Sequence, residues 1–191
     1  MRANYCENYL PIFIGGRKVK RILDLAAAIA MVENKMTVVG NIRENTVNTE
    51  RNYWLMKSEP NCFSLDDLKN RPDGIEPWDG VRNYQARNFT QNAIKCGDGV
   101  LFYHSNIPQP AIVGLARVVR EGYPDYTALD PGADHFDPRA TEAKPIWYMV
   151  DVQYLASLPA PITRKDLAQH PVLSAMGVLK KGNRLSAQPV A

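Results

Sequence analysis

From residue 53 onward the chain is a succession of short apolar runs separated by polar turns. Tyr53-Trp54-Leu55-Met56 is aromatic and apolar, which predicts a strand. Ser64-Leu-Asp-Asp-Leu68 opens a short helix, with Ser64 as cap and acids at its positive end. Arg82 to Ile94 has helical character, with Tyr84, Ala86, Phe89 and Ala93 as inward candidates. Gly97-Asp-Gly99 is a turn. Val100 to Tyr103 and Ala111 to Val119 read as two strands joined by a Ser-Asn-Ile-Pro-Gln-Pro loop. Ile146 to Leu155 is a further strand. Thr163 caps a helix containing Leu167, and Leu173 to Leu179 forms a short helical piece. Arg184 to Val190 is a last strand. Many strands with short helices between them predict an α+β fold built on a small mixed β-barrel.

Residues 1–50 differ in texture. Thirteen of the fourteen prolines follow residue 51, and the first fifty residues contain no Trp. Their one apolar run, Ile22 to Val32, follows Arg17, Lys18, Lys20 and Arg21. It contains Asp24, lies away from the N-terminus and is too short to span a bilayer. The expectation is an N-terminal extension and linker over 1–51 carrying a short amphipathic helix, or a mis-assigned start with the true one at Met31 or Met36. Residues 52–191 then form the domain.

Charge sharpens this division. The net charge is +3, but residues 51–191 carry 16 Lys/Arg against 15 Asp/Glu. A protein that tracks phosphates by charge alone is more basic than that. Any nucleic acid would therefore be read at a base or a local basic patch. The three cysteines, Cys6, Cys62 and Cys96, include no CxxC pair and no nearby His. That argues against a zinc site and a disulfide framework and fits a reducing compartment. No metal and no cofactor is expected.

Four constellations carry candidate chemistry. Trp54-Leu-Met-Lys57-Ser58-Glu59-Pro60 takes a strand into polar residues where a barrel mouth would lie; the plain alternative is a strand exit with a solvated Lys–Glu pair. Trp78-Asp-Gly-Val81-Arg82-Asn83-Tyr84-Gln-Ala-Arg87-Asn88 gathers an indole, two guanidiniums, three amides and a phenol. The amides can read a base edge and the arginines can hold phosphate, or the whole can be a polar helix face with Trp78 in the core. Phe102-Tyr103-His104-Ser105-Asn106 is a strand ending in polar groups, where a lone His serves more often as a structural hydrogen-bond partner than as a catalyst. No Ser/His/Asp or Cys/His triad can be drawn, because consecutive residues such as His104 and Ser105 face opposite sides of a strand. The run from Tyr123-Pro-Asp125-Tyr126 through Asp130, Asp134 and Asp137 lacks EF-hand spacing and reads as a solvated loop. Arg184, in the final polar strand, is a further candidate for phosphate.

MKSEP (56–60), FSLDDL (63–68), W-x-GVRNYQARN (78–88), FYHSN (102–106), YPD (123–125) and NRLSAQPV (183–190) together resemble the EVE domain family, which includes thymocyte nuclear protein-like members. The resemblance spans roughly residues 52–190 in order. It implies a PUA-like fold related to the YTH fold, whose members grip a modified base in an aromatic cage. The implied function is a non-enzymatic reader of methylated or hydroxymethylated cytosine or adenine in DNA or RNA, with no membrane or metal partner, in the cytoplasm, or the nucleus if eukaryotic. The implied pocket places Lys57 and Ser58 at the base edge, Trp78 as one wall, and Tyr103, His104, Ser105 and Asn106 opposite, with Trp54, Glu59, Val81, Asn83 and Tyr84 completing it. Arg82, Arg87 and Arg184 are the expected backbone contacts, and no residue is expected to be catalytic. The family also continues into a closing helix that this sequence, ending at Ala191, does not include. The alternatives are a nucleotide- or nucleobase-processing enzyme and a small-molecule or protein-interaction module.

Overall fold

A computed structural model describes residues 51–190. The expected amphipathic helix of the first fifty residues lies outside them. Six strands make one mixed sheet: β1 (Tyr53–Ser58), β2 (Ile75–Trp78), β3 (Gly99–His104), β4 (Ala111–Pro124), β5 (Tyr148–Thr163) and β6 (Ala187–Pro189), in the order β2-β5-β4-β3-β1-β6. β1 and β3 are parallel and the other neighbours antiparallel. Three short helices flank the sheet: α1 (Leu65–Asn70), α2 (Tyr84–Asn88) and α3 (Arg164–Ala168).

The caps explain where the helices begin. Ser64 accepts from the Asp67 amide while the Asp67 side chain accepts from the Ser64 amide; Thr163 and Asp166 repeat the arrangement. Each box satisfies two otherwise unpaired donors. Asn83 caps α2 by accepting from the amides of Gln85 and Ala86. A wide helical turn over Phe89–Ala93 extends α2, and the Ile94 amide donates back to the Phe89 carbonyl at 2.9 Å. Four of the sequence readings change. β2 was not visible as a strand. The Leu173–Leu179 piece resolves into two single turns, Pro171–Leu173 and Gly177–Leu179. The last strand shrinks to three residues, and Tyr84 points outward at 51% exposure.

The sheet curls but does not close. Register shifts recur along β4 and β5, and such bulges bend the strands that carry them. Closure would need β2 to pair with β6. Both are short edge strands holding a proline, Pro77 and Pro189, which has no N–H to give a ladder. The mixed α+β class therefore stands, and the expected barrel is an open, curved sheet.

Two cores lie on its two faces. One joins Trp54, Met56, Trp78, Val81, Phe102, Val118, Val150 and Val152 under Leu65, Leu68 and Ala86 of the helices. The other joins Leu55, Leu101, Tyr103, Ile112, Leu115, Ile162, Leu167, Met176 and Val178. The period of two along β1 and β3 decides which side each residue takes. Cys62 keeps a free, exposed thiol.

Candidate nucleic-acid interface

The expected pocket residues divide: Lys57, Tyr103 and Ser105 line one cavity, whereas Trp54, Trp78 and Val81 belong to the core on the other face. Trp54 is core: it is 4% exposed, and its Nε1 donates to the buried Asp98 carboxylate at 2.8 Å. Trp78 is also core, 7% exposed, and packs edge-on against Phe102 with ring centroids 5.2 Å apart. Val81 lies in the same cluster. Lys57 and Tyr103 are partners in the β1–β3 ladder and belong to the opposite face. Alternation along β1 forces this, because Lys57 and Ser58 are consecutive. A single pocket holding both Lys57 and Trp78 is therefore not formed.

Most of the polar candidates are already engaged. Ser58 Oγ donates to the Phe63 carbonyl at 2.5 Å. The Leu65 amide donates to His104 Nε2 at 3.1 Å, which requires that nitrogen to be unprotonated. Burial lowers the His104 pKa, with Asp66 opposing, so the structural reading of this histidine holds. Asn106 donates to Glu59 at 3.0 Å, and Ser105 Oγ donates to the Ser58 carbonyl at 3.2 Å. Asn83 is spent on its cap.

The arginines divide in the same way. Arg82 Nη1 donates to Asp125 at 2.7 Å, and its other nitrogens reach the His135 carbonyl. Its guanidinium also lies over the Trp147 ring. Arg87 Nη1 donates to the Ile146 carbonyl at 2.6 Å and covers Tyr84. Together they clamp the 125–147 segment, Arg82 to the turn before α2 and Arg87 to α2 itself, so they are not free backbone contacts. Arg184 is exposed.

That clamp builds a place the sequence reading treated as solvated. Asp125 is 2% exposed and accepts from Gly80 N at 3.2 Å, Arg82 Nη1 at 2.7 Å, and Thr127 N and Oγ1 at 2.9 and 2.6 Å. Burial raises its pKa, but the hydrogen bonds from Thr127, Arg82 and Gly80 with the Arg82 charge outweigh this and hold it below the ordinary carboxylate value. Gly80 turns the chain with φ +69°, and a Cβ there would strike the His135 ring at 2.5 Å. Only glycine allows that turn and that contact together.

Around this fixed corner stand four acids and two phenols. Tyr126, one residue past Asp125, is 58% exposed. Glu76, Asp79, Asp125 and Asp151 all lie near enough to raise its pKa, after burial, which contributes most. Burial is the main cause raising Asp79, reinforced by the Asp125 charge, and it likewise raises Glu76 and Asp151. The Tyr123 hydroxyl donates to Asp151, while Arg120 stacks 3.5 Å from the Tyr123 ring centroid. Farther along, exposed Tyr84 stacks on buried Trp147 at 5.0 Å and 28°, and Trp147 Nε1 donates to Asp137 at 2.8 Å. The Tyr123-Pro-Asp-Tyr126 run, read from sequence as a solvated loop, and Trp147, not singled out there, carried the signal.

The patch thus offers an exposed aromatic ring beside carboxylates in a partly desolvated setting. A ring of this kind can stack a base. A carboxylate can accept from an exocyclic amino group, as on cytosine N4. Among the described residues no group of three His, Cys, Asp or Glu is disposed to hold a metal, and no helix is long and apolar enough to cross a membrane.

This architecture is that of an established family. The EVE domain family model matches residues 52–191, and the chain belongs to the EVE domain family. Mouse thymocyte nuclear protein 1 is 37% identical over 193 residues, 93% of this chain and 84% of that protein. The human protein of the same name is 40% identical over 179 residues, 85% and 79% of the two chains. Among solved structures, a hypothetical protein from Leishmania major superposes with a TM-score of 0.70 at 48% identity, covering 74% of this chain and 88% of that one. Human THYN1 protein in complex with 5-methylcytosine containing DNA superposes with a TM-score of 0.68 at 42% identity, covering 73% and 91%.

Proposed function

We propose that this chain is a non-catalytic reader of a modified base in nucleic acid, with 5-methylcytosine in DNA as its first candidate. The observation that carries the reading is the likeness to human THYN1 protein, solved in complex with 5-methylcytosine containing DNA, across 91% of that chain. The corner around Tyr126 supports it on chemical grounds. The ring is exposed for stacking, and the Asp79 carboxylate beside it is of the kind that accepts from a cytosine amino group, while nearby Glu76 is paired with Arg71. Such a site selects by leaving the edge of a wrong base unpaired. Trp78 is packed in the core against Phe102, and Arg82 and Asp125 fix the turn that bears Asp79. The name thymocyte nuclear protein carried by the relatives favours the nuclear one of the two expected compartments.

Fluorescence anisotropy with otherwise identical cytosine and 5-methylcytosine oligonucleotides, as DNA and as RNA, tests the reading. Burying one methyl group contributes about 0.8 kcal/mol, so the methylated strand should bind roughly fourfold tighter. Tyr126→Ala should weaken binding by about 1–3 kcal/mol while the domain stays folded. Equal affinity for modified and unmodified strands would refute the reader. Full affinity in Tyr126→Ala would move the base elsewhere.

A further inference from the structure

The other face of the sheet holds a cavity of about 230 Å³ that the base-reading corner does not use. Its lining is unusual in sign. Lys57, Arg164 and Lys180 contribute three cations and no acid lines the cavity, while Tyr103, Ser105 and Asn183 supply uncharged polar groups. Tyr103 is buried, whereas Arg164 and Lys180 are exposed.

The fold brings these residues together from distant parts of the chain. Lys57 and Tyr103 are ladder partners at the ends of β1 and β3. Arg164 is the first residue of α3, held by its own donations to the Val178 and Leu179 carbonyls at 3.2 and 3.0 Å. Lys180 and Asn183 come from the loop before β6. Lys57 Nζ donates to the Asn183 carbonyl at 3.3 Å. These acceptors are neutral carbonyls, and none of the ion pairs among the described residues includes Lys57, Arg164 or Lys180.

Lys57 is half-buried and none of the ion pairs among the described residues includes it, which is costly, and Arg164 stands close enough to repel it. Burial lowers the Lys57 pKa, and the neighbouring Arg164 charge lowers it further. The charge of an anion in the cavity would offset both effects. Several donors converging with a surplus of positive charge match a phosphate group, whose oxygens accept strongly and whose charge is localised. We propose that this cavity is a phosphate-binding site, separate from the base-reading corner, with Lys57 and Arg164 as its main charged contacts. The phosphate can come from a nucleic-acid backbone or from a free phosphate monoester.

The test titrates inorganic phosphate into the full chain, with chloride at matched ionic strength as control, and follows heat or ³¹P line width. Saturable phosphate binding is expected, weakened about tenfold or more in Lys57→Met and in Arg164→Gln, since each removes a charge-assisted contact. Lys57→Met should melt no lower than the parent, because it removes a desolvated charge. If it fails to fold, the exposed Arg164→Gln carries the test. Unmodified oligonucleotides then separate the sources. If the backbone supplies the phosphate, the variants weaken methylated and unmethylated strands equally and lower the salt slope by about 0.7–0.9. If a free monoester supplies it, oligonucleotide binding is unchanged while phosphate binding is lost. No saturable phosphate binding together with unchanged oligonucleotide affinity and salt slope in the variants overturns the proposal. So does phosphate binding that both variants retain in full. A failed preference for methylated strands leaves these readouts intact, so the two proposals fail separately.

Discussion

Replacing Asp125 by Ala tests the corner that holds the proposed base site. Four donors converge on this carboxylate, from Gly80, Arg82 and twice from Thr127. Its side chain is fully buried, while that of Arg82 is 23% exposed. Removing one partner of a buried ion pair costs about 3–5 kcal/mol. Arg82 keeps some water and its bonds to the His135 carbonyl, so the lower end, about 3 kcal/mol, is expected. For a domain of this size that is a fall in Tm of about 10 °C. Urea unfolding of the parent, Asp125→Ala, Arg82→Ala and the double variant measures both the cost and the coupling, which should be about 1.5–3 kcal/mol. The pH dependence supplies an independent check. Asp125 has a lowered pKa in the folded state, so its stabilisation is present above the unfolded value of about 3.9 and is lost as pH falls through the lower folded value. The gap between parent and Asp125→Ala should stay constant from neutral pH down to about pH 5 and close below about pH 4. A cost under about 1 kcal/mol at pH 7, or a gap that widens in acid, would refute the clamp.

Three further outcomes follow from the same geometry. Trp78→Ala should lose about 3–5 kcal/mol of stability by denaturant unfolding, as a core deletion does, and a much smaller loss would show that the indole walls an open pocket instead. Asp79 has a raised pKa, so its favourable protonated state is present below the unfolded carboxylate value and is lost as pH rises through the folded value. Asp79→Asn should therefore melt higher than the parent at pH 7 and show no gain near pH 3.5; a gain confined to acid would contradict the assignment. We also propose that residues 52–191 are the folding unit, so limited proteolysis followed by mass spectrometry should leave a fragment starting near residue 51, and equal protection of residues 10–40 would overturn it.

What could be read from sequence alone depended on how local the cause was. The caps at Ser64 and Thr163 are set within three residues, and both are present, while Asn83, read as a base-edge amide, proves to be a cap as well. β1, β3 and β4 are apolar enough to declare themselves. β2 is four residues long and contains Glu76 and Pro77, so it becomes a strand only because β5 pairs with it. The fate of Arg82 was equally out of reach, since its partner Asp125 lies 43 residues away. Lys57 and Ser58 are a different case. Neighbours on a strand face opposite sides, so their separation was legible once β1 was accepted. The acid-rich run after Tyr123 resembles any solvated loop until Gly80 and Arg82 are seen to bury its first carboxylate.

The position of β1 governs the order in which the molecule can be completed during synthesis. Its neighbour on one side, β3, is made within some fifty residues, but its neighbour on the other is β6, whose Ala187 pairs with Met56. About 130 residues separate those two partners, and at ~5–20 residues per second the ribosome needs roughly 7–26 s to bridge them. For that interval β1 presents an unpaired edge carrying Leu55 and Met56, the kind of edge that templates aggregation. Codons that slow translation between β3 and β6 would prolong this exposure, while a slowdown before β1 would not.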